Sequence, residues 1–153
     1  MKDARDLSPF FSELFRNGMA FLCEYNQTFT NTTQGRLNRQ VELQAKNGGP
    51  LGLEGTHEIV VGAKDVEAAQ RYWQQLFDPI APTGPGIWQI GDGPAIRLVP
   101  HTQDGLLTLI WKVASLEQAR AFLKEQNILG ISTEQQLSLA PTKMFGLDIR
   151  LVE

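Results

Sequence analysis

The chain has 153 residues, of which 42% are hydrophobic, and a formal net charge of -3. This length and composition suit one ordinary domain, or two small modules that share a core. The acidic balance and the absence of any run of Lys and Arg argue against a nucleic-acid partner, because phosphate binding needs a basic surface.

Cysteine usage and the start of the chain bear on its compartment. Cys23 is the single cysteine, so an internal disulfide and a multi-cysteine metal site are both excluded. The opening MKDARDLSPFF lacks the apolar core of a signal peptide, and no apolar run of membrane length follows. We therefore expect a cytoplasmic protein without a membrane partner.

Residues 1–55 are predicted to form an N-terminal extension that differs from the rest of the chain. The segment QTFTNTTQGRLNRQ is rich in Thr, Asn and Gln, and NGGPLGLEG is typical of a loop. Predicted elements are a helix that begins at Ser8 and Pro9, a short strand at MAFLCEYN, and a helix with Leu37, Val41 and Ala45 on one face. The extension either packs on the core or a partner, which we favour, or takes part directly in the chemistry.

After the extension, the pattern predicts a strand, a helix and a hairpin. HEIVVGA is a strand candidate, Asp65 can cap a helix that runs to about residue 78, and the segment FDPIAP ends that helix. GIWQIG and AIRLVP flank the tight-turn sequence Gly91-Asp92-Gly93-Pro94, which predicts two antiparallel strands. The order is β-α-β-β.

The same order is predicted again in the last third of the chain. LLTLIWKV is a strand candidate, and Ser115 with Gln118 forms a capping box before a second amphipathic helix over about residues 115–127, whose apolar face ends near Gly130. TEQQLSLA and LDIRLVE supply two more strands.

The two halves align residue by residue. EIVVGAKDVEAAQRYW lies over TLIWKVASLEQARAFL at an offset of 50, which pairs Asp65 with Ser115 as caps. Arg97 in AIRLVP and Arg150 in DIRLVE are 53 residues apart, close to the same offset. The repeated IRLV therefore predicts a duplicated module.

This layout resembles the vicinal oxygen chelate superfamily, which includes glyoxalase I, bleomycin-resistance proteins, extradiol dioxygenases and methylmalonyl-CoA epimerase. The resemblance covers residues 56–153, with module 1 at 56–103 and module 2 at 104–153. It implies an α+β, glyoxalase-like fold in which paired β-α-β-β(-β) modules form a half-barrel cleft around a divalent metal.

The resemblance also implies where metal ligands would lie. In that family, each module has one ligand seven residues before the helix cap and another in the closing strand, which here gives Glu58, Arg97, Thr108 and Arg150. Threonine is a poor ligand and a guanidinium has no lone pair to offer, so we expect no metal cofactor. Fallback ligands are Glu58, His57 and His101, although His57 should point away from Glu58 on a strand and His101 falls in a loop.

Alternation along the strands predicts the residues that face the cleft. Ligand-binding candidates are Glu58, Arg97, Thr108, Lys112, Asp148 and Arg150, with the aromatic candidates Trp88 and Trp111. Three cations then face two carboxylates. Either the carboxylates pair with the arginines in a plugged polar core, or the surplus positive charge holds an anion. Trp73, in contrast, is predicted to pack in the core.

Three functions follow as hypotheses. The first is a metal-free glyoxalase-like protein that binds a small anionic or aromatic molecule. The second is a metal-dependent lyase, isomerase or dioxygenase with unusual ligands, and the third is a non-catalytic oligomerisation module. The residues leave open whether the protein is an enzyme, and the resemblance implies a homodimer.

Overall fold

The structure is a computed structural model that describes residues 38, 41–42 and 44–153. The predicted helix at Ser8 and the predicted strand at MAFLCEYN lie outside the described residues. The described residues between 38 and 45 are helical, as the spacing predicted, and a short 3-10 helix follows at Gly49–Leu51. None of the described helices is long and apolar enough to cross a membrane.

From Leu53 onward, the chain contains seven strands and two α-helices. In chain order they are β1 (Leu53–Ala63), α1 (Val66–Phe77), β2 (Ile87–Gln89), β3 (Ala95–Pro100), β4 (Gly105–Val113), α2 (Leu116–Glu125), β5 (Leu129–Ser132), β6 (Leu137–Leu139) and β7 (Asp148–Val152). The strands form a mixed sheet in the order β2-β3-β1-β4-β7-β6-β5, with β4 and β7 parallel and the pairs β2–β3, β5–β6 and β6–β7 antiparallel. The predicted α+β class is confirmed.

The chain divides into two compact units, and the division passes through β1 and β4. Val60–Leu107 belongs to the first unit, while Thr108–Glu153 and the described residues up to Ile59 belong to the second. The assignment of residues 1–55 to a separate extension stays a prediction.

The first unit packs α1 over its strands through aromatic side chains. Asp65 caps α1 by accepting a hydrogen bond from the Ala68 amide at 2.9 Å, as predicted. Trp73 and Trp88 are both buried, and Phe77 lies between them with ring centroids at 5.3 and 5.8 Å. Trp73 is thus a core residue, as the helical spacing predicted.

The second unit repeats this arrangement with an aliphatic core. Ser115 caps α2 by accepting from the Gln118 amide at 3.2 Å, as predicted, but the Gln118 side chain donates to the Gly49 and Pro50 carbonyls and does not complete the capping box. The core consists of one side of α2 and the inward side chains of the strands, namely Val113, Leu116, Ala119, Leu123, Leu137, Leu139, Ile149 and Leu151. In each unit the IRLV strand lies beside the opening strand, β3 next to β1 and β7 next to β4, which confirms the duplicated element order.

The predicted boundaries were wrong at three places, one of which is the predicted strand TEQQLSLA, where only Leu137–Leu139 is extended in the sheet. β1 begins at Leu53, inside the segment predicted as a loop. The helix that was expected to reach residue 127 ends at Glu125, because Asn127 adopts a left-handed φ of 55° and the Ile128 amide donates to the Leu123 carbonyl at 3.0 Å. The residues after this turn form the edge strand β5, which the sequence pattern did not reveal.

Candidate functional site

The two parallel strands of the second unit bring Thr108, Asp148 and Arg150 together. Thr108 on β4 lies opposite Asp148 on β7, and Ile110 lies opposite Arg150. Because side chains alternate along a strand, these four residues share one face of the sheet, while Ile149 points into the core. Thr108, Asp148 and Arg150 therefore lie side by side, and their assignment to a binding cleft stays a prediction.

One carboxylate oxygen is the centre of this cluster. The Oδ2 of Asp148 accepts hydrogen bonds from the Thr108 hydroxyl at 2.9 Å and from Arg150 Nε at 2.9 Å, and Arg150 Nη2 lies 2.8 Å away. The Thr108 residue is 8% exposed, whereas the side chains of Arg150 and Asp148 keep 43% and 31% of their surface. Within the described chain, no atom hydrogen-bonds to Asp148 Oδ1 or Arg150 Nη1. Thr108 and Arg150 thus both contact one oxygen of Asp148, and the rest of the ion pair is partly exposed to solvent.

A cavity of about 540 Å³, here called the Arg150 cavity, lies against this ion pair. Its polar lining comes from Thr133, Gln136, Ser138, Asp148 and Arg150. Its charged residues are Asp148 and Arg150, so the formal charge of its lining is zero. All of the residues that line it belong to the second unit.

The remaining wall of the Arg150 cavity is apolar. Ile131, Ala140 and Pro141 line it, together with Gly130 and with Leu137, whose own side chain is buried in the core. Ile131 is 76% exposed, so most of its aliphatic side chain is accessible. The cavity therefore combines an ion pair with an apolar surface, as small-molecule sites commonly do.

The hydroxyl groups of Ser138 and Thr133 form hydrogen bonds with the backbone of the cavity wall. Ser138 Oγ accepts from the Ile131 amide at 2.7 Å, where the pairing of β5 with β6 shifts register. Thr133 Oγ1 donates to the Gln136 carbonyl at 2.9 Å and accepts from the Gln136 amide at 3.0 Å. The sequence analysis did not name these residues. Alternation along TEQQLSLA nevertheless places Ser138 on the other face of the strand from Leu137 and Leu139, which point into the core.

Lys112, another predicted site residue, belongs to a different ion pair. Its Nζ lies 3.3 Å from the Oε2 of Glu54, and both side chains are about half exposed, at 51% and 49%. The sequence count of three cations against two carboxylates omitted Glu54, because β1 was predicted to begin later. Lys112 therefore adds no surplus charge.

Glu58 and Arg97 complete the predicted charged set. Glu58 is half-buried on β1, and Arg97 is half-buried on β3 opposite Ile87 of β2. Both have interaction partners. Arg97 belongs to the first unit and Arg150 to the second.

The two predicted cleft aromatics lie elsewhere. Trp88 is 1% exposed, and its Nε1 donates to the Gln74 side chain of α1 at 2.9 Å. It also lines an open cavity of about 790 Å³ in the first unit, with Gln70 and Arg71. Trp111 packs against the aliphatic core of the second unit, on the opposite face from Thr108. Alternation separates Trp111 from the cluster.

The fallback metal ligands do not converge within the described residues. His57 is exposed on β1, and His101 is exposed in the loop after β3, where its Nδ1 lies 3.0 Å from the Gln103 carbonyl. The described residues contain no group of three or more His, Cys, Asp or Glu side chains that could hold a metal ion.

The positions that the resemblance assigns to metal ligands do not fit a metal in the second unit. The Thr108 hydroxyl donates its hydrogen to Asp148, and Arg150 places a permanent positive charge beside it. A divalent cation next to that guanidinium would meet a like charge at close range. Thr108 and Arg150 are therefore unsuited to the ligand roles that the family gives to their positions.

The fold of this chain is similar to that of several solved structures. No protein-family model and no curated protein sequence matches the chain. Methylmalonyl-CoA epimerase from Mycobacterium tuberculosis is similar in structure, with a TM-score of 0.54 and 17% identity over 69% of this chain and 90% of that protein. A hypothetical protein from Bacillus halodurans C-125 matches with a TM-score of 0.50 and 13% identity over 64% of this chain and 92% of that one.

These matches define the protein first as an α+β protein with a mixed sheet and repeated β-α-β-β order. More particularly, the chain has the vicinal oxygen chelate fold, as the sequence resemblance implied. At this level of identity, the likeness is one of fold.

Proposed function

We propose that this protein binds a small molecule in the Arg150 cavity, without a metal ion at the positions of Thr108 and Arg150. The observation that carries the proposal is the ion pair itself, which lines a cavity with an apolar wall and keeps hydrogen-bonding atoms that no described residue engages. A volume of about 540 Å³ lies within the range of about 300–1,000 Å³ that is usual for ligand sites.

In the second unit, the surplus positive charge that the anion-site hypothesis requires is not available. Arg150 was expected to contribute surplus positive charge, but Asp148 neutralises it at 2.8 Å. A plugged core does not describe this cluster either, because the side chains of both partners are partly exposed and line a cavity. The arrangement supports a site with a neutral, paired polar group.

A metal-dependent lyase, isomerase or dioxygenase would need ligands other than Thr108 and Arg150. Neither residue offers a lone pair suited to a divalent cation in its present hydrogen bonding. We therefore do not propose that alternative for this cluster.

The binding proposal is tested by NMR titration of the uniformly ¹⁵N-labelled full chain with a library of small carboxylates, amides and aromatic compounds. We expect binding compounds to shift the backbone amides of Ile131, Ser138 and Arg150. The change Arg150→Gln should weaken that binding, because it removes the charged donor from the cavity.

The matched control is Arg71→Gln, which removes an exposed arginine from the open cavity of the first unit. It should leave binding unchanged. Shifts confined to α1 and residues 82–88, or a loss of binding with Arg71→Gln alone, would place the ligand site in the first unit and contradict the proposal.

We also propose that the protein is a homodimer, a property that the family resemblance implies. Sedimentation equilibrium should give about twice the 17.1 kDa mass of the chain. A dimer that binds no library compound would favour the non-catalytic oligomerisation module instead.

A further inference from the structure

The charge balance of the Arg150 cavity restricts the chemistry of its ligand. An anion placed near Arg150 also approaches the carboxylate of Asp148, and a cation placed near Asp148 also approaches the guanidinium, since the two groups are 2.8 Å apart. Attraction to one partner and repulsion from the other largely cancel for a charged ligand. A neutral ligand meets no such repulsion.

The hydrogen-bonding capacity of the pair is complementary to a particular kind of neutral group. Asp148 Oδ2 is engaged by Thr108 and Arg150, so Oδ1 is the remaining carboxylate acceptor. The guanidinium of Arg150 has more N–H groups than its two contacts to Asp148 use, and Nη1 takes part in neither contact. The exposed part of the pair thus offers an acceptor and donors side by side.

We infer that the Arg150 cavity selects a neutral planar group in which an acceptor and a donor are adjacent, such as a carboxamide, a urea or a lactam. The carbonyl oxygen of that group accepts from Arg150, and its N–H donates to Asp148. The apolar body of the ligand lies against Ile131, Ala140 and Pro141. This inference rests on the proposed function and specifies the class of ligand.

Three probes of nearly the same shape test it: benzamide, benzoate and benzamidinium. They share one ring and differ mainly in the charge of the polar group. NMR titration of the full chain should show benzamide binding to the cavity about tenfold more tightly than either charged probe, because each charged probe approaches a like charge.

Two variants should reverse the preference in opposite directions. Asp148→Asn leaves the cation of Arg150 unbalanced, so benzoate should become the tightest probe. Arg150→Gln leaves the carboxylate unbalanced, so benzamidinium should become the tightest. Arg71→Gln, in the first unit, should preserve the wild-type order.

The titration of the wild-type protein tests the inferred ligand class even where a variant fails to fold. If benzoate binds most tightly to the wild-type protein, or the three probes bind the cavity equally, the inference fails although the binding proposal stands. If none of the probes binds, the inference fails. The proposed function fails only if, in addition, no library compound shifts the amides of the Arg150 cavity.

Discussion

Thr108 shows how one buried hydroxyl organises a partly exposed ion pair. The residue is 8% exposed, and its hydroxyl donates to Asp148 Oδ2 at 2.9 Å. This bond orients the Asp148 carboxylate, and Arg150 Nε donates to the same oxygen at 2.9 Å. The ion pair itself contributes modestly to stability, since the side chains of its partners retain 43% and 31% of their surface.

Replacing this hydroxyl by a methyl group should lower stability while keeping the shape of the side chain. We expect Thr108→Val to reduce the free energy of unfolding by about 1 kcal/mol, the usual value of a hydrogen bond in a protein. Urea denaturation followed by circular dichroism measures it. Thr56→Val, at an exposed position of β1, is the control and should change stability little. Equal effects of the two changes would show that the Thr108 bond does not stabilise the cluster.

Phe145 has a backbone and an exposure that disfavour phenylalanine. Its φ is 53°, in the left-handed region, and its side chain is fully exposed at 101% relative accessibility. Hydrogen bonds from the Gly146 amide to Pro141 and from the Leu147 amide to Met144 hold the turn around it. No contact of the ring within the described structure offsets this conformation.

Asparagine tolerates the left-handed region, so Phe145→Asn should raise the free energy of unfolding by about 1 kcal/mol. The reverse change, Asn127→Phe at φ 55° after α2, should lower it by a similar amount. Thermal unfolding of both variants provides the measurement. A destabilised Phe145→Asn protein would mean that the exposed ring makes contacts in solution.

At the scale of elements, the edge strand β5 depends on a glycine. A Cβ at Gly130 would lie 2.6 Å from Ser138 Oγ and 3.1 Å from the Leu139 carbonyl oxygen. Glycine therefore lets β5 approach β6 where their register shifts, and it leaves Ser138 Oγ free to accept from Ile131. This close approach forms one wall of the Arg150 cavity.

Adding that Cβ should disturb the wall. We expect Gly130→Ala to lower the free energy of unfolding by about 1–2 kcal/mol through steric overlap with β6. Its control is Gly55→Ala on β1, where an added Cβ meets no atom within 4 Å. Chemical denaturation of both variants gives the comparison. If Gly130→Ala is as stable as Gly55→Ala, β5 must be able to move away from β6 without loss.

For the whole molecule, the residues at the expected metal-ligand positions predict a protein without a bound metal ion. The sequence resemblance implies modules that hold a divalent metal, yet the second unit presents Thr108 and Arg150 at the corresponding positions. We expect the purified protein, after dialysis, to contain clearly less than one divalent metal ion per chain. Elemental analysis by mass spectrometry measures this, with the dialysis buffer as the blank. One tightly held ion per chain would contradict the expectation, and its loss in Glu58→Gln would identify Glu58 as a ligand.

Much of the fold follows from local signals in the sequence. Capping residues and apolar spacing located the starts of α1 and α2, and the repeated IRLV indicated equivalent strands in the two units. These features depend on neighbours within one turn or one strand, so the order of residues determines them. The edge strand β5 escaped prediction because its conformation depends on pairing with β6 across a glycine contact.

Alternation along the sequence also placed Thr108, Asp148 and Arg150 on one face of the sheet. Only the tertiary structure decided that Thr108 binds Asp148, that Glu54 pairs with Lys112, and that Trp88 and Trp111 lie away from the cluster. The Glu54–Lys112 pair depends on which strands become neighbours, whereas Asp148 and Arg150 lie two residues apart on one face of β7, where alternation alone already brings them together. The sequence therefore determined which charged side chains the sheet would carry, and the packing of strands decided which of those charges pair between strands.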